Sequence, residues 1–385
     1  MKTVGIICEY NPFHNGHAKQ LNAIDGVKVC LMSGDYVQRG EPALLDKHTR
    51  AKAAVLCGAD LVLELPLTYA ISSAEGFARG GVEILTRLGC IDKLCFGSES
   101  GDIADIMSTA RLLLTEQFRA ALRSELASGV SFPRARQNAV EALGGSGGVL
   151  ENPNDILAVE YCKALLTLQS PIKPMTVRRE GSYFESLQTE NPSASVLRTR
   201  EDWRGFVPKA ALEVFEAAPR YTVQAGERAW LARLRAMSEA EFEALPYGSE
   251  GLWRKVMRAC RTEATLAEIL EAAKSKRYTH TRLQRMLLCA LLGISEETLR
   301  QPAPYVRVLA LNARGAAVVR AARKDGSIPV INAGERAPEP QYAETERRAA
   351  ALYGLFREGK IQPPVESERV FIDKPDACES EYNTL

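Results

Sequence analysis

The sequence of 385 residues contains no apolar run close to the ~20 residues that a membrane-spanning helix needs. It also lacks an excess of charge, since 49 Lys and Arg balance 48 Asp and Glu, so net charge gives no reason to expect a nucleic-acid partner. The nine cysteines include no CxxC pair, which removes the usual spacing of a structural zinc site. We therefore expect no membrane association and look for function in local motifs.

Two features favour a cytoplasmic protein. The cysteines are scattered and lie mostly in apolar segments, which suits a reducing compartment. The opening segment MKTVGIICEY predicts a buried strand rather than a signal peptide.

Strand-like apolar runs alternate with helical stretches in the first half of the chain. The runs are TVGIIC, VKVCLMSG, DLVLELP, DKLCFGS and IKPMTVRR. Such alternation is typical of a parallel sheet covered on both faces. From residue 205 to about residue 299 the apolar spacing is mainly helical, and a short strand, helix, strand unit follows. We predict an α/β fold with a catalytic domain at 1–204 and a helical plus small α/β domain at 205–385.

The most informative motif, EYNPFHNGH at 9–17, directly follows the first predicted strand. Gly16 lets the backbone approach a phosphate closely, and Pro12 stiffens the turn before the next helix. His14 and His17 can donate hydrogen bonds to charge that develops on a phosphoryl group, beside the N–H groups of a helix N-terminus. The alternative is that both histidines only make local capping bonds in a turn.

The sequence HNGH at 14–17 resembles the HxGH signature of the nucleotidyltransferase superfamily. With its flank EYNPF and the segments MSGDYVQRGEPA, GADLVLELP, FGSE and PNDILAVEY, it resembles the bacterial tRNA(Met) cytidine acetate ligase family over most of the chain. The resemblance implies a Rossmann-like nucleotidyltransferase domain with a parallel sheet. It also implies that ATP activates acetate as acetyladenylate, and that the acetyl group then passes to N4 of the wobble cytidine of elongator tRNA(Met).

A second phosphate-binding element is expected across the site from the histidines. SASVLR at 193–198 fits this role, because two hydroxyls stand just before a helix and Arg198 lies one turn in. It resembles the serine-rich motif ending in arginine that closes the active site in this superfamily, although Ser-Ala-Ser stands here where a fuller run of hydroxyls is often found. The alternative is an ordinary helix cap with a surface arginine.

The resemblance also implies which residues bind ATP. Arg178 and Arg179 end the last strand of the sheet, Gly97 allows close approach of the nucleotide, and Asn154 offers an amide. The implied ATP-binding set is Ile7, Cys8, Glu9, Tyr10, Asn11, Pro12, Phe13, His14, Asn15, Gly16, His17, Ala18, Lys19, Gln20, Gly97, Asn154, Arg178, Arg179, Ser193, Ser195 and Arg198. The catalytic set is His14, His17, Lys19 and Arg198. Lys19 is expected to face the phosphates from the first helical turn, or else water.

The polar segment GDYVQRGEPA at 34–43 follows the second predicted strand. An arginine suits a small carboxylate and an acid can accept the N4 proton, so this segment is a candidate lining for the acetate or cytidine pocket. The candidates are Asp35, Gln38, Arg39 and Glu41. The alternative is a structural loop in which Arg39 pairs with Glu41 or Asp46. On the following helix, Lys47 and Arg50 are expected to face tRNA or water.

The clearest local signal for RNA is KSKRYTHTRLQR at 274–285, which has five Lys or Arg and no acid. Its basic side chains would contact phosphates, and Tyr278 would stack on an exposed base. The candidates are Lys274, Lys276, Arg277, Tyr278, Arg282 and Arg285. The alternative is a solvated helical face. Arg200, Arg204 and Arg254 are further candidates without a pattern of their own.

We predict an ATP-dependent ligase that acts on acetate and elongator tRNA(Met), with no obligate protein partner. Mg²⁺ is expected to arrive on the ATP phosphates, because the sequence shows no dedicated carboxylate cage or other metal site. One alternative is a small-molecule nucleotidyltransferase, against which the long C-terminal half argues. The other is a non-catalytic RNA-binding protein, against which the presence of both phosphate elements argues.

Overall fold

A computed structural model describes residues 2–179, 193–275, 278–361 and 369–373 of the chain. Its strands are β1 (Thr3–Cys8), β2 (Val27–Ser33), β3 (Tyr36–Val37), β4 (Glu41–Pro42), β5 (Leu61–Leu65), β6 (Lys93–Ser98), β7 (Lys173–Arg178), β8 (Val306–Leu311), β9 (Val330–Asn332) and β10 (Phe371–Ile372). Its helices are α1 (Asn15–Asn22), α2 (Lys47–Leu56), α3 (Leu67–Ala70), α4 (Ala74–Arg87), α5 (Ile103–Leu112), α6 (Glu116–Ala127), α7 (Phe132–Ala142), α8 (Pro153–Thr167), α9 (Ala194–Arg198), α10 (Lys209–Glu216), α11 (Val223–Ala236), α12 (Glu239–Glu243), α13 (Leu252–Thr262), α14 (Leu266–Ala273), α15 (His280–Leu292), α16 (Glu296–Arg300), α17 (Ala313–Asp325) and α18 (Pro340–Tyr353), with 3-10 turns at Gly147–Leu150 and Gly354–Phe356. Within these ranges no helix combines the length and apolar character needed to cross a bilayer.

One mostly parallel sheet organises the molecule. Its strands lie in the order β10-β8-β5-β2-β1-β6-β7, and β9 also pairs with β8. The five strands expected in the first half are all present and mutually parallel, with Ile6 opposite Cys30 across the central pair. The Val, Ile and Leu content of β1, β2 and β5 is typical of strands buried on both faces, whereas the edge strand β7 is only partly buried. The α/β prediction is confirmed.

Helices cover both faces of this sheet. Side-chain alternation along β2 sends Val29 and Leu31 to one face, and Cys30 and Met32 to the other. The first face packs against α4, α5, α8 and α17, and the second against α1, α2 and α10. Because β1, β2, β5, β6 and β7 are parallel, their carboxyl ends meet at one edge, which is where ligands bind in folds of this kind.

The helices α11, α13, α14, α15 and α18 surround a second hydrophobic core that includes Trp230 and Leu287. This core packs directly on the segment that follows β2. Tyr36 of β3 is one of its buried members, and the Tyr36 hydroxyl donates to the Ala349 carbonyl at 3.0 Å. The helical part of the chain is therefore in contact with the carboxyl edge of the sheet.

The strands β8, β9 and β10 join the same sheet, although we expected a separate small α/β unit after residue 205. β8 pairs antiparallel with β5, with Val62 opposite Ala310, and β9 and β10 pair parallel with β8. An apolar strand must satisfy its backbone groups on a neighbour. The run VRVLAL predicts a strand but does not indicate which neighbour it will choose.

Candidate active site

The HNGH turn lies at the carboxyl end of β1, where α1 begins at Asn15. His14 is the N-cap residue, and its Nδ1 accepts a hydrogen bond from the Gly16 N–H at 3.0 Å. His17 reciprocates, because its Nδ1 accepts from the His14 N–H at 3.3 Å. The local capping bonds of the alternative interpretation are therefore present, as a capping box built from two histidines.

Capping through Nδ1 leaves Nε2 of each neutral ring to bear the proton. Burial, followed by the Arg179 guanidinium, lowers the pKa of His14 to about 3. Burial, His14 and Arg179 lower the pKa of His17 well below its usual range. The ring centroids are 3.9 Å apart. Both rings are thus neutral at pH 7 and present Nε2–H donors, so capping and phosphate binding are compatible roles.

The backbone N–H groups at the start of α1 already have partners. The Asn15 N–H donates to the Phe206 carbonyl at 2.9 Å, and the next N–H donates to the His14 ring. The following two N–H groups both donate to the His14 carbonyl, at 2.9 and 3.1 Å. These four N–H groups are therefore engaged within the protein, and phosphate binding by the side chains of the turn stays a prediction.

Buried aromatic rings hold the histidines in place. Tyr10 and Phe13 are almost fully buried, and their ring centroids lie 4.8 and 5.6 Å from that of His17. Tyr10 adopts a φ of +47°, a conformation that non-glycine residues rarely adopt. Tyr10 and Phe13, both members of the implied ATP set, therefore pack against the His17 ring and support the turn. On α1 itself, Lys19 is exposed, and the Gln20 amide donates to the Cys95 Sγ at 3.8 Å.

The SASVLR segment reaches the HNGH turn through Arg198. Its guanidinium donates to the Asn11 carbonyl at 3.0 Å and to the Ser195 Oγ at 3.3 Å, and it lies 3.7 Å from a Glu41 carboxylate oxygen. The Ser193 side chain makes no capping bond to α9. Arg198 is therefore held beside the histidine turn, unlike the surface arginine of the alternative.

The two arginines at the end of β7 point to different places. A Cβ at Gly97 would lie 3.2 Å from the Arg179 Cγ, so the Arg179 side chain runs over this glycine towards the histidines whose pKa values it lowers. The Arg178 side chain packs beside Gly101, where a Cβ would lie 2.9 Å from its own Cβ. Only Arg179 joins the histidine cluster, because adjacent strand residues point to opposite faces.

Asn154 lies at the start of α8, facing a carboxylate that we did not predict. Its side-chain amide donates to the Glu99 Oε1 at 2.6 Å, and the Asp155 N–H donates to the Glu99 Oε2 at 2.9 Å. The buried Asp155 in turn accepts from the Ser100 N–H at 3.1 Å. The Asn154 amide therefore offers a nucleotide its oxygen. Glu99 in FGSE and Asp155 in PNDILAVEY were the sequence signals that could have identified these contacts.

The segment after β2 is tied to both phosphate elements. Glu9 accepts from the Gln38 N–H at 2.7 Å, and Glu41 pairs with Arg198. Asp46 caps α2 by accepting from the Thr49 N–H at 2.8 Å. Glu41 therefore bridges to the SASVLR helix through Arg198.

Arg50 faces neither tRNA nor water, so that expectation is wrong for Arg50; for Lys47, whose side chain is 18% exposed beside an open cavity, it stays a prediction. Arg50 is fully buried and donates to the carbonyls of Leu45 at 2.8 Å, of Glu9 at 2.6 Å and of Ser33 at 3.1 Å. It also donates to the Gly34 carbonyl. Arg50 thus clamps the ends of β1 and β2 together.

Lys47 belongs to a charged network beyond the end of β5. Its Nζ lies 2.8 Å from Glu64 and 3.7 Å from Asp35. Arg307 of β8 lies 3.5 Å from Glu64 and 3.3 Å from Glu346, and these acids were absent from our candidates. Burial and the nearby Glu64 raise the pKa of Glu346. An open cavity of about 1460 Å³ lies beside the network and is lined by Asp35 and Lys47 but not by His14 or His17.

The segment at 274–285 is less open than its charge predicts. Arg285 is 7% exposed and donates to the Gln38 carbonyl at 3.3 Å, so its expected phosphate contact is wrong. Arg282 donates to the Tyr247 carbonyl at 3.0 Å, and the Tyr278 hydroxyl donates to Glu250 at 3.2 Å. Lys274 is exposed and lies 3.5 Å from Glu271. Two candidates lie outside the described residues: Lys276 and Arg277.

Of the arginines proposed without a pattern, two lie on the surface after α9. Arg200 stacks its guanidinium 4.5 Å from the Phe206 ring centroid. Arg204 is exposed and lies 3.8 Å from Glu216. The third, Arg254, is exposed on α13.

Comparisons with known proteins identify the family that this chain resembles. A family model described as HIGH Nucleotidyl Transferase matches residues 1–367. A Clostridium tetani protein named tRNA(Met) cytidine acetate ligase is 38% identical over 364 residues, which cover 86% of this chain and 90% of that protein. An Acetivibrio thermocellus protein of the same name is 36% identical, covering 86% of this chain and 88% of that protein.

Solved structures are similar as well. The crystal structure of Thermotoga maritima TmcAL bound with alpha-thio ATP has a TM-score of 0.87 and 28% identity, and the match covers 97% of this chain and all of that one. The apo form of the same protein has a TM-score of 0.89 with the same coverage.

Proposed function

The chain belongs to the HIGH nucleotidyl transferase family and, within it, to the tRNA(Met) cytidine acetate ligases, and from this premise we propose how its residues perform the reaction. It is an ATP-dependent ligase that activates acetate as acetyladenylate and transfers the acetyl group to N4 of the wobble cytidine of elongator tRNA(Met). The relatives favour this function over a small-molecule nucleotidyltransferase or a non-catalytic RNA-binding protein.

One observation carries the proposal for the first step. Two neutral imidazoles with Nε2–H donors meet the Arg179 and Arg198 guanidinium groups at the carboxyl end of β1. These groups come from three separate segments of the chain. Donors and cations are what a phosphoryl transfer requires, because its transition state gains charge on phosphate oxygens.

The reaction itself needs no protein nucleophile. A carboxylate oxygen of acetate attacks the α-phosphorus of ATP, the bond from that phosphorus to the β-bridging oxygen breaks, and pyrophosphate leaves. N4 of the cytidine then attacks the acetyl carbonyl carbon. AMP departs with the electron pair of the C–O bond, and N4 loses a proton. We assign His14 and His17 to the α-phosphate, and Arg198 with Ser193, Ser195 and Lys19 to the outer phosphates.

Mg²⁺ enters with the nucleotide in this proposal. In the described ranges no three His, Cys, Asp or Glu side chains are grouped so as to hold a metal ion. Mg²⁺ commonly binds through substrate phosphates and water, and such an ion would screen the charge of the leaving pyrophosphate. The protein itself would supply the guanidinium groups of Arg179 and Arg198.

Acetate-dependent exchange of radiolabelled pyrophosphate into ATP tests the first step. His14→Ala and His17→Ala should each lower the exchange rate at least about 100-fold, as loss of one transition-state donor does elsewhere. The matched control is His280→Ala, which removes an exposed histidine from the start of α15. Exchange that persists in both active-site variants would contradict the assigned role.

Transfer is followed separately with radiolabelled acetate and elongator tRNA(Met). Label should appear in N4-acetylcytidine at the wobble position, with one AMP formed per acetyl group. Exchange with acetate but no label in tRNA would retain the adenylation site and contradict the proposed acceptor.

A further inference from the structure

The exposed face of α13 is a dense basic surface to which the site description assigns no role beyond naming Arg254. Four of the eleven residues of this helix are exposed Lys or Arg, and none is acidic: Arg254, Lys255, Arg258 and Arg261. The opposite side of the helix is buried in the helical core through Trp253, Val256 and Cys260. The helix is therefore fixed in place, with one apolar side and one cationic side.

No carboxylate of the described residues lies beside these four cations, whereas some cations of other helices are paired with an acid. On α17, Arg314 lies 3.6 Å from Asp60, and Arg323 lies 3.9 Å from Glu335. In the described part of the chain, no Asp or Glu oxygen comes within 4.0 Å of a charged nitrogen on α13. In a chain whose charges nearly cancel, this positive charge is left for something outside the chain.

The geometry of the face suits a nucleic-acid backbone. Positions 254, 258 and 261 fall on one side of a helix and span about 10 Å, enough to follow more than one phosphate along a strand. The Lys255 Nζ donates to the Lys274 carbonyl at 2.7 Å, so the face continues into the exposed end of the 274–285 segment.

We propose that this face, with Lys274 at its edge, binds the phosphate backbone of the tRNA. The inference rests on the proposed function and places its RNA surface chiefly on α13 rather than on α15. A membrane surface is a poorer fit, because an interfacial helix needs exposed apolar anchors. No large hydrophobic side chain of α13 is exposed.

The test compares two fourfold variants that change net charge equally. The first neutralises the face: R254Q/K255Q/R258Q/R261Q. The matched control neutralises four exposed arginines of α5, α6 and α7: R111Q/R119Q/R123Q/R134Q. Affinity for elongator tRNA(Met) is measured from about 50 to 200 mM KCl, a range over which phosphate contacts change the affinity strongly. A double variant, R254Q/R258Q, serves if the fourfold variant is poorly folded, and acetate-dependent pyrophosphate exchange reports on folding in every variant.

The α13 variant should weaken tRNA binding roughly 100- to 1,000-fold at 0.1 M KCl and reduce the salt slope by about 3, while exchange stays within twofold of wild type. The control should keep the wild-type affinity and slope. Equal losses in both variants, unchanged affinity in the first, or a loss of binding to anionic vesicles but not to tRNA would each overturn the proposal. A wild-type protein that binds and acetylates no tRNA would instead contradict the proposed function.

Discussion

Acidification should destabilise the ligand-free protein through the histidines of the HNGH turn, and His14→Gln should remove part of this sensitivity. His14 is 6% exposed, and burial and the Arg179 charge lower its pKa from 6.5 to about 3. The folded state therefore resists a proton that the unfolded chain accepts. Below pH 6.5 the unfolded state binds more protons than the folded state, so the free energy of unfolding falls as the pH falls.

The expected magnitude follows from the two pKa values of His14. With 6.5 in the unfolded chain and about 3 in the folded protein, linkage gives a loss of about 2 kcal/mol between pH 7 and pH 5. His17 adds a loss of the same sign, because burial lowers its pKa as well. Glutamine keeps an oxygen that can accept the Gly16 N–H bond, but it does not titrate.

The assay is urea unfolding of wild type and His14→Gln at pH 7, 6 and 5 without ATP. Over this range wild type should lose about 2 kcal/mol more than the variant. Comparing the two proteins cancels groups common to both, such as Glu9, whose pKa is raised by burial. Parallel stability curves would refute the neutral, proton-resisting His14 ring and, with it, the proposed Nε2–H donor. By the same reasoning, ionisation of these histidines should not affect pyrophosphate exchange between pH 6 and 8.

Three further perturbations probe the surroundings of the turn. Arg50→Met should lower the free energy of unfolding by at least about 3 kcal/mol, because four carbonyls lose a buried donor, and urea unfolding would show a smaller change if the clamp is unimportant. Glu41→Gln should lower the KM for ATP about two- to fivefold, because it removes a negative charge 3.7 Å from Arg198; a higher KM would mean that Glu41 chiefly positions that arginine. Arg179→Ala should reduce pyrophosphate exchange about 100-fold and Arg178→Ala less than about tenfold, and equal losses would contradict their different placement.

The elements predicted well from the sequence are those whose signal is local. Five strand-like runs predicted the five parallel strands, and the runs are nearly continuous in β1, β2 and β5 because those strands are buried on both faces. The HNGH turn was equally legible, since four adjacent residues fix the capping box. The pairing of β8 with β5 was not predictable in this way, because a strand's sequence indicates its β propensity but not which strand it will pair with.

Buried arginines were the main failure of sequence reasoning. Arg50 and Arg285 both lie in polar stretches and were assigned to surfaces, yet each is buried and donates to main-chain carbonyls. A guanidinium offers five donors in a fixed fork, so it can satisfy several strand-end carbonyls at once. Most of those carbonyls are distant in sequence, so the residues that flank each arginine do not indicate that it will be buried against them.

The basic face of α13 is a second case in which the sequence alone did not show which charged side chains are exposed. KSKRYTHTRLQR is denser in charge than LWRKVMRACRT, and linear density favoured the first segment. Linear charge density does not show whether the charged side chains are exposed, however. Arg285 of the first segment is buried and donates to the Gln38 carbonyl. In the second segment the apolar residues take one side and the cations the other, as in any helix whose core contact excludes charge. The α13 segment has the weaker run of charge, but it presents its four cations to a polyanion on one exposed side of a helix.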